Sequence, residues 1–538
     1  MAVTTEQEMQ EGCRIDFDAV RRLGDIPTYH AARTPDKVAT RFEGRETSWA
    51  ELEERANRVA NALVAEGLEQ GERIGFAGKA LDGFFELMFG VAKAGMVLVP
   101  AQWRLAAAEI AQVLEDGEAK LVFLAADQFE RIDSFCQLPG VRKCIAMEEG
   151  SELPPFARWR DAAPATPRDT GPSPREVAIQ LYTSGTTGKP KGVMLSHDNI
   201  LSGRREGMKH SMPWNEWREE DVNLVALPLG HIGGIGWGIV GYFNGATTIL
   251  HRDFKPDAVL DAMEQEGISK MFLVPTAIQM LLLEPEVRER NFETLRHILY
   301  GASPIALDLL REATEVFGCG FCQQYGMTET CGTVVYLPPE DHDPAGNERM
   351  RSAGLPMPGV EIRVVHPHER TELPVRAVGE VETRSVANMV GYWNRPDATA
   401  ETVDNEGWLR TGDAGYLDED GYLFIHDRFK DMICSGAENV YPAEVESAIY
   451  SHPDVQEVAV FGVPDPKWGE AIKAAVVRRP DTDPLESEII AFAKKRIAGF
   501  KVPKSIDFVD ALPRNPSGKV LRRALRDPYW EGKDRDIN

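Results

Sequence analysis

Residues 182–193 read Tyr182-Thr183-Ser184-Gly185-Thr186-Thr187-Gly188-Lys189-Pro190-Lys191-Gly192-Val193. Three glycines, four hydroxyl side chains and two lysines fall within twelve positions, just after the apolar run 177–182. Small residues let backbone N–H groups approach an anion, hydroxyls add donors, and lysine adds charge. The segment therefore has the inventory of a phosphate-binding loop. It is not a Walker A loop. Pro190 follows Gly188-Lys189 where that pattern needs Ser or Thr, and Thr183 stands five residues before Gly188 where it needs glycine.

Outward from this loop, short apolar strands alternate with helical patterns. Ser48 with Glu51 predicts a capped helix start, and Leu52, Ala56, Val59, Leu63 and Val64 form one apolar stripe over 48–68. A helix is predicted over 82–94. Strands are predicted over 73–77, 96–100, 121–124, 177–182, 222–227, 246–250, 270–274 and 297–300. Such alternation predicts α/β architecture with buried sheets. Segment 154–174, rich in Pro, Ala, Asp and Arg, reads as an exposed linker. Near residue 428 the character changes. Helices over 443–450 and 487–497 and strands over 455–463, 471–478 and 505–509 predict a separate α+β module of about a hundred residues.

Composition narrows the classes. The 538 residues are 43% apolar and 27% charged, which excludes disordered, collagen-like and disulfide-scaffold chains. Sixty Lys and Arg face 85 Asp and Glu, a net charge of −25, which argues against general nucleic-acid or anionic-membrane binding. Seven cysteines are too sparse for a secreted disulfide framework and fit a reducing cytoplasm. Residues 1–13 are acidic and lack the apolar core of a signal peptide. The apolar stretch 84–101 carries Glu86, Lys93 and two glycines, so it reads as a buried helix leading into a strand, not a membrane span.

Two patterns imitate other chemistry. Residues 236–241 read GWGIVG, formally G-x-G-x-x-G, but the preceding strand ends before Pro228 and the tight strand-to-helix turn of a dinucleotide site is missing. Cys319 and Cys322 form a lone CxxC with no second pair, so they read as buried strand residues.

Five further motifs follow in order. Residues 301–305 read GASPI, 325–330 YGMTET, 411–413 TGD, 427–431 DRFKD and 513–519 PRNPSGK. With the loop at 182–193 they resemble the adenylate-forming (AMP-binding) superfamily, which includes acyl-CoA synthetases, luciferases and the adenylation domains of peptide synthetases. The resemblance implies a large N-terminal domain of β-sheets flanked by helices, over 1–428. It also implies a hinge at 429–431 centred on Lys430 and a small mobile α+β domain over 432–538. It implies ATP and AMP binding by Thr183, Ser184, Gly185, Thr186, Thr187, Gly188, Lys189 and Lys191, by Gly301, Ala302 and Ser303, and by Tyr325, Gly326, Met327 and Thr328. Asp413, Arg428 and Lys519 complete that set. Glu329 and Thr183 are the implied Mg²⁺ ligands, a carboxylate being the hard oxygen donor such an ion takes. Asp413, an acceptor-only group, suits ribose hydroxyls. Tyr325 offers an aromatic face for adenine, and Arg428 suits phosphate or ribose oxygens. Catalysis is implied for Lys519, Glu329, Thr328 and His231. Lys519 would neutralise the charge that builds as carboxylate meets α-phosphate.

The implied activity is an AMP-forming carboxylic acid–CoA ligase, in which ATP gives acyl-AMP and pyrophosphate and CoA then gives acyl-CoA. Amino-acid-activating relatives carry an aspartate where Gly230-His231 stands here. The implied acyl pocket, from His231, Ile235, Trp237, Val274, Tyr300 and Met327, is apolar. An uncharged hydrophobic acid is expected, a medium- or long-chain fatty acid most simply, with aryl or steroid-derived acids and loading of a carrier protein as alternatives. Ser435, Gly436, Ala437 and Glu438 are the implied CoA loop, where Ala437 replaces a glycine of the family pattern. Residues 494–526 hold ten Lys or Arg against two Asp. They read equally as a solvated surface or as a collar for the phosphates of ATP and CoA, with Lys494, Lys495, Arg496 and Lys501 nominated for CoA. The expected partners are ATP, CoA and a small acid, with no nucleic acid and no integral membrane; a homodimer is left open.

Overall fold

The computed structural model describes residues 16, 19–168, 171–184, 190–210, 212–303, 305–343, 345–428, 431–435, 438–515 and 519–531. Among these, the strands form four sheets. The largest has nine strands, in the order Leu355–Pro356, Gly332–Leu337, Gly320–Met327, His297–Gly301, Lys270–Leu273, Val222–Val225, Thr247–Leu250, Val38–Phe42 and Arg45–Ser48. Its six central strands run parallel. The second has seven strands, in the order Gly391–Tyr392, Pro190–Ser196, Val177–Ser184, Val97–Ala101, Arg73–Ala77, Ala119–Leu124 and Lys143–Ala146. Parallel strands buried on both faces read as continuous apolar runs, which is why these elements were visible in the sequence.

Three helices link the two large sheets. Trp49–Ala65 starts on a true capping box, in which Ser48 Oγ accepts from Glu51 N and Ser48 N donates to Glu51 Oε2. Asp82–Lys93 packs against it so closely that a Cβ on Gly90 would lie 2.4 Å from Val59. These two and Ile232–Phe243 share one apolar cluster with residues of both sheets, among them Phe42, Phe76, Leu98, Leu181 and Leu250. The formal G-x-G-x-x-G match at 236–241 lies inside this helix and not at a strand-to-helix turn.

The segment 154–174 departs from its reading as a linker. Phe156–Asp161 is helical, Phe156 is buried 5.9 Å from Phe123, and Trp159 Nε1 donates to Glu66 Oε1 at 2.9 Å. Two aromatic residues among the prolines were enough to dock it. Cys136 and Cys144 are joined by a disulfide between the helix Ile132–Cys136 and the strand Lys143–Ala146, where the cysteine count had suggested reduced thiols. Cys322 is buried in its strand as expected, whereas Cys319 is half-buried and precedes that strand.

The remaining sheets organise the C-terminal third. Glu361–Val365, Gly379–Arg384, Leu409–Leu417 and Leu423–Arg428 form an antiparallel sheet. Beyond it, Glu438–Val440, Ile433–Ser435, Gly469–Arg478 and Val455–Asp465 pair antiparallel, and Ser505–Phe508 joins Gly469–Arg478 in parallel. With helices Pro442–Tyr450 and Glu486–Lys494 this sheet has its own core of Ile433, Val445, Ile472, Val476 and Ile489. It touches the larger body where Gln279 Nε2 donates to Tyr450 Oη and to Gln456 O, both at 3.1 Å.

Candidate active site

A cavity of about 580 Å³ opens between the two large sheets and the C-terminal module. Thr183, Ala302, Ser303, Thr328, Glu329, Asn515 and Lys519 give it a polar lining, and Trp237, Phe272, Val274, Leu299 and Met327 an apolar one. Four of the six motifs nominated from sequence thus meet at one place although they span more than 300 residues of chain, whereas no described residue of 411–413 or 427–431 lines the cavity.

Glu329 is held from two sides. Thr183 Oγ1 donates to its Oε1 at 3.5 Å, and Tyr392 Oη donates to the same oxygen at 2.9 Å. Tyr392 comes from the short edge strand Gly391–Tyr392, which pairs with Pro190–Ser196 just beyond the phosphate-type loop. Lys191 Nζ stands 4.8 Å from the centre of the Tyr392 ring. Tyr392 was missed because nothing around residue 392 signals a site; only strand pairing brings it there. Ser184 ends its strand. Gly185, Thr186, Thr187, Gly188 and Lys189 lie outside the described residues.

Tyr325 Oη donates to Asp413 Oδ2 at 2.7 Å, so one carboxylate oxygen of Asp413 is already engaged. Asp413 pairs in register with Arg428 across the strands Leu409–Leu417 and Leu423–Arg428. Gly301 is required by the sheet itself, because a Cβ there would lie 2.1 Å from Gln324 O. Gly326 is required likewise, with Gly332 O 1.8 Å away. Ala302 holds a φ of 70°, a left-handed conformation a non-glycine residue adopts only under constraint, and such residues gather at functional sites.

Lys519 is exposed and faces the cavity. Its backbone is clamped by Asn515: Lys519 N donates to Asn515 Oδ1 and Asn515 N donates to Lys519 O, each at 2.8 Å. Three residues on, Arg522 pairs with Glu446 at 2.7 Å and with Asp427 at 3.3 Å. These carboxylates hold its guanidinium well above its ordinary pKa.

The apolar part corrects two assignments. Ile235 and Tyr300 are fully buried behind the wall. Tyr300 Oη bonds Gln323 Oε1 at 3.2 Å and His342 Nε2 at 3.0 Å, which turns its ring into the core. Trp237, Val274, Met327 and His231 do line the cavity. His231 precedes the helix Ile232–Phe243, and burial lowers its pKa from 6.5 to about 4, so the ring is neutral. The wall also carries a cation that sequence motifs did not reveal, Arg204 on the helix His197–Met208.

Of the implied CoA loop, Ser435 is buried and pairs antiparallel with Glu438; Gly436, Ala437 and Lys430 lie outside the described residues. The basic stretch is less bare than its composition suggests. Lys501 pairs with Glu444, Arg514 with Glu457, Arg522 with Glu446 and Arg523 with Asp527. Lys494, Lys495 and Arg496 remain exposed.

Comparison with known proteins agrees with this arrangement. The AMP-binding enzyme family matches residues 28–393, and the AMP-binding enzyme C-terminal domain matches 444–519. A fatty acid–[acyl-carrier-protein] ligase, ScoC, of Streptomyces coeruleorubidus is 42% identical over 98% of this chain and 100% of its own. A feruloyl-CoA synthase of an Amycolatopsis species is 36% identical over 94% of this chain and 98% of its own. ATP-bound MatB from Rhodopseudomonas palustris superposes with a TM-score of 0.86 at 32% identity, covering 95% of this chain and 99% of that one. No helix among the described residues is long and apolar enough to cross a membrane. The chain belongs to the AMP-binding enzyme family and is an ATP-using, AMP-forming acid–thiol ligase.

Proposed function

We propose that this chain adenylates a predominantly hydrophobic carboxylic acid and passes the acyl group to the thiol of CoA. The observation that carries the reading is the cavity itself, where Lys519, Thr328 and Glu329 share one space with the Trp237 and Phe272 wall. In this reading Lys519 lies between the carboxylate and the α-phosphate and offsets the meeting of two anions. Asp413 and Tyr325 hold the nucleoside, and the loop 184–191 holds its phosphates. Neutral His231 orders the passage between acyl pocket and thiol.

Mg²⁺ fits Thr183 and Glu329. Their oxygens lie side by side, and no cluster of three or more His, Cys, Asp or Glu occurs among the described residues. An ion that takes one or two protein oxygens and completes its shell with phosphate and water suits such a pair. Bound there, it would neutralise the triphosphate; the Tyr392 hydroxyl keeps the Glu329 carboxylate aimed.

The larger body, 1–428, binds ATP and acid in this reading. Residues 432–538 turn about Lys430 between the two half-reactions, bringing Ser435 to Glu438 toward the thiol; hinges are a few residues that absorb a large backbone rotation. Exposed Lys494, Lys495 and Arg496 are the cations available to the phosphates of CoA. The enzyme would work in the cytoplasm, as a monomer or a homodimer. The ScoC likeness favours one second reading, transfer to a phosphopantetheinyl carrier protein, and the feruloyl-CoA synthase likeness favours an aryl acid within the first. Pyrophosphate release over a panel of fatty and aryl acids, followed by transfer to CoA or carrier protein, separates them. Transfer to CoA that weakens with salt is expected; transfer to a carrier protein alone would overturn the acceptor.

A further inference from the structure

Among the described residues, the cavity wall holds a cation without a counter-ion. Arg204 lines the cavity on the helix His197–Met208. Its Nη1 donates to Ile200 O, and its Nη2 to Gly236 O at 3.0 Å. The Nε–H has no acceptor among the described residues. A guanidinium carries five N–H donors, so three remain without a described partner. The acids of the same helix are taken by other cations: Asp198 pairs with Arg205 at 2.8 Å and Glu206 with Lys209 at 2.6 Å. Burial lowers the Arg204 pKa, and the one neighbour that opposes this is the Cys331 thiol, itself pushed up to about 12 by burial.

The surroundings fit a binding role better than a structural one. A charge taken from water needs a partner, and an arginine retained without one is costly. The two carbonyls that hold Arg204 fix its plane without neutralising it. Gly236, whose carbonyl anchors it, bears no side chain toward the cavity, and a Cβ there would meet only the side chain of its own neighbour Ile232. Ser202, also lining the cavity, has a buried hydroxyl with no partner among the described residues. The next residue of the wall is Trp237. A cation, a spare hydroxyl and a bare glycine thus line the cavity near Trp237, together with the Lys209-paired Glu206 and the amides of Asn199 and Asn244.

We propose that Arg204 determines specificity by receiving a second carboxylate at the far end of the acid, so that the preferred substrate has an apolar spacer between two carboxyl groups. This rests on the acid-adenylating reading above and replaces only its expectation of an uncharged far end. A carboxylate matches the planar fork of arginine with two parallel hydrogen bonds.

The test compares pyrophosphate release from octanoic, decanoic and dodecanoic acids with that from their α,ω-dicarboxylic and ω-hydroxy counterparts, and from cinnamic with 4-carboxycinnamic acid. The readout is the ratio of kcat/KM within each matched set. At one spacer length the wild-type enzyme should favour the dicarboxylic acid by about tenfold or more. Arg204→Met should lower that ratio by about thirtyfold, and Arg204→Lys by less, because lysine keeps the charge but loses the fork. Preference for the methyl- or hydroxyl-ended acid at every length would overturn the proposal, as would a ratio that Arg204→Met leaves in place. The wild-type ratios decide even where a variant folds poorly. Absence of pyrophosphate release from every acid, with ATP still raising the melting temperature, would instead overturn the acid-adenylating reading and this proposal with it.

Discussion

Arg522 Nη1 reaches Asp427 Oδ1 at 3.3 Å, joining the helix that follows Lys519 to the strand that ends at Arg428. The contact is largely shielded from water, and the same guanidinium pairs with Glu446 and lies 3.9 Å from Asp431. Lys519 is thus presented to the cavity by an ion-pair cluster that spans the proposed hinge. Asp427→Asn removes the charge from this cross-contact and leaves the Glu446 pair in place. Adenylation should slow about tenfold, equivalent to about 1.4 kcal/mol, while thioester formation from supplied acyl-AMP changes far less. Single-turnover measurement of each half-reaction checks this, and equal slowing of both would remove the cluster from the mechanism.

Lys519→Ala should separate the half-reactions more sharply. Loss of one positioned charge in the adenylation transition state costs about 10²–10³ in rate. Acyl-AMP formation should fall by that much, with transfer from supplied acyl-AMP retained. Loss of both halves together would place Lys519 in folding instead.

Trp237 is packed 5.7 Å from Trp217 and 6.3 Å from Phe272, and its indole N–H donates to Leu224 O at 3.1 Å. Trp237→Ala should enlarge the pocket and move preference toward bulkier acids. It should also destabilise the fold by about 3–5 kcal/mol, the usual cost of truncating a buried aromatic side chain. Chemical denaturation and a competition assay between a linear and a branched aryl acid read the two effects independently.

Acid should unfold the protein well before its carboxylates titrate. Burial lowers His30, His197, His231 and His342 from 6.5 to about 4. His197 Nδ1 accepts from Leu23 N at 3.2 Å, a role only a neutral ring can fill. The unfolded chain takes up protons as pH falls through 6.5, whereas the folded chain resists until about 4. Stability is therefore full above 6.5 and is lost between 6.5 and 4. The melting temperature should fall by roughly 5 °C or more across that window. A flat profile would show these rings to be reached by solvent.

The parts of the fold legible in sequence were those written locally. The Ser48 and Glu51 capping pair and the apolar runs at 73–77 and 297–300 needed no partner to be read. Which strand neighbours which was not legible, because Val222–Val225 lies between Lys270–Leu273 and Thr247–Leu250 through long crossovers. The same divide runs through the site. Glu329, Lys519 and Trp237 sit in patterns of their own, whereas Tyr392 and Arg204 matter through what pairing and packing set beside them. Ile235 and Tyr300 failed as pocket residues for a related reason: residue type marked them as apolar, but only the turn of the helix and the hydroxyl bonds of Tyr300 decide which way they face.

The helix Ile232–Phe243 contains two kinds of glycine. At Gly234, Gly238 and Gly241 a methyl group would strike Pro228 O, Phe85 and Asn223 at 2.2–2.4 Å, so a side chain at any of them forces its neighbours to shift, the backbone itself at Gly234. At Gly236 the space is open toward the cavity. Mutational drift along this wall is therefore funnelled: of the five glycines, Gly234, Gly238 and Gly241 are hemmed in, Gly233 would press on Phe272 at 3.3 Å, and Gly236 is free to grow a side chain beside Arg204. A lineage could shorten the acids it accepts by one substitution at Gly236, with the scaffold around it left untouched.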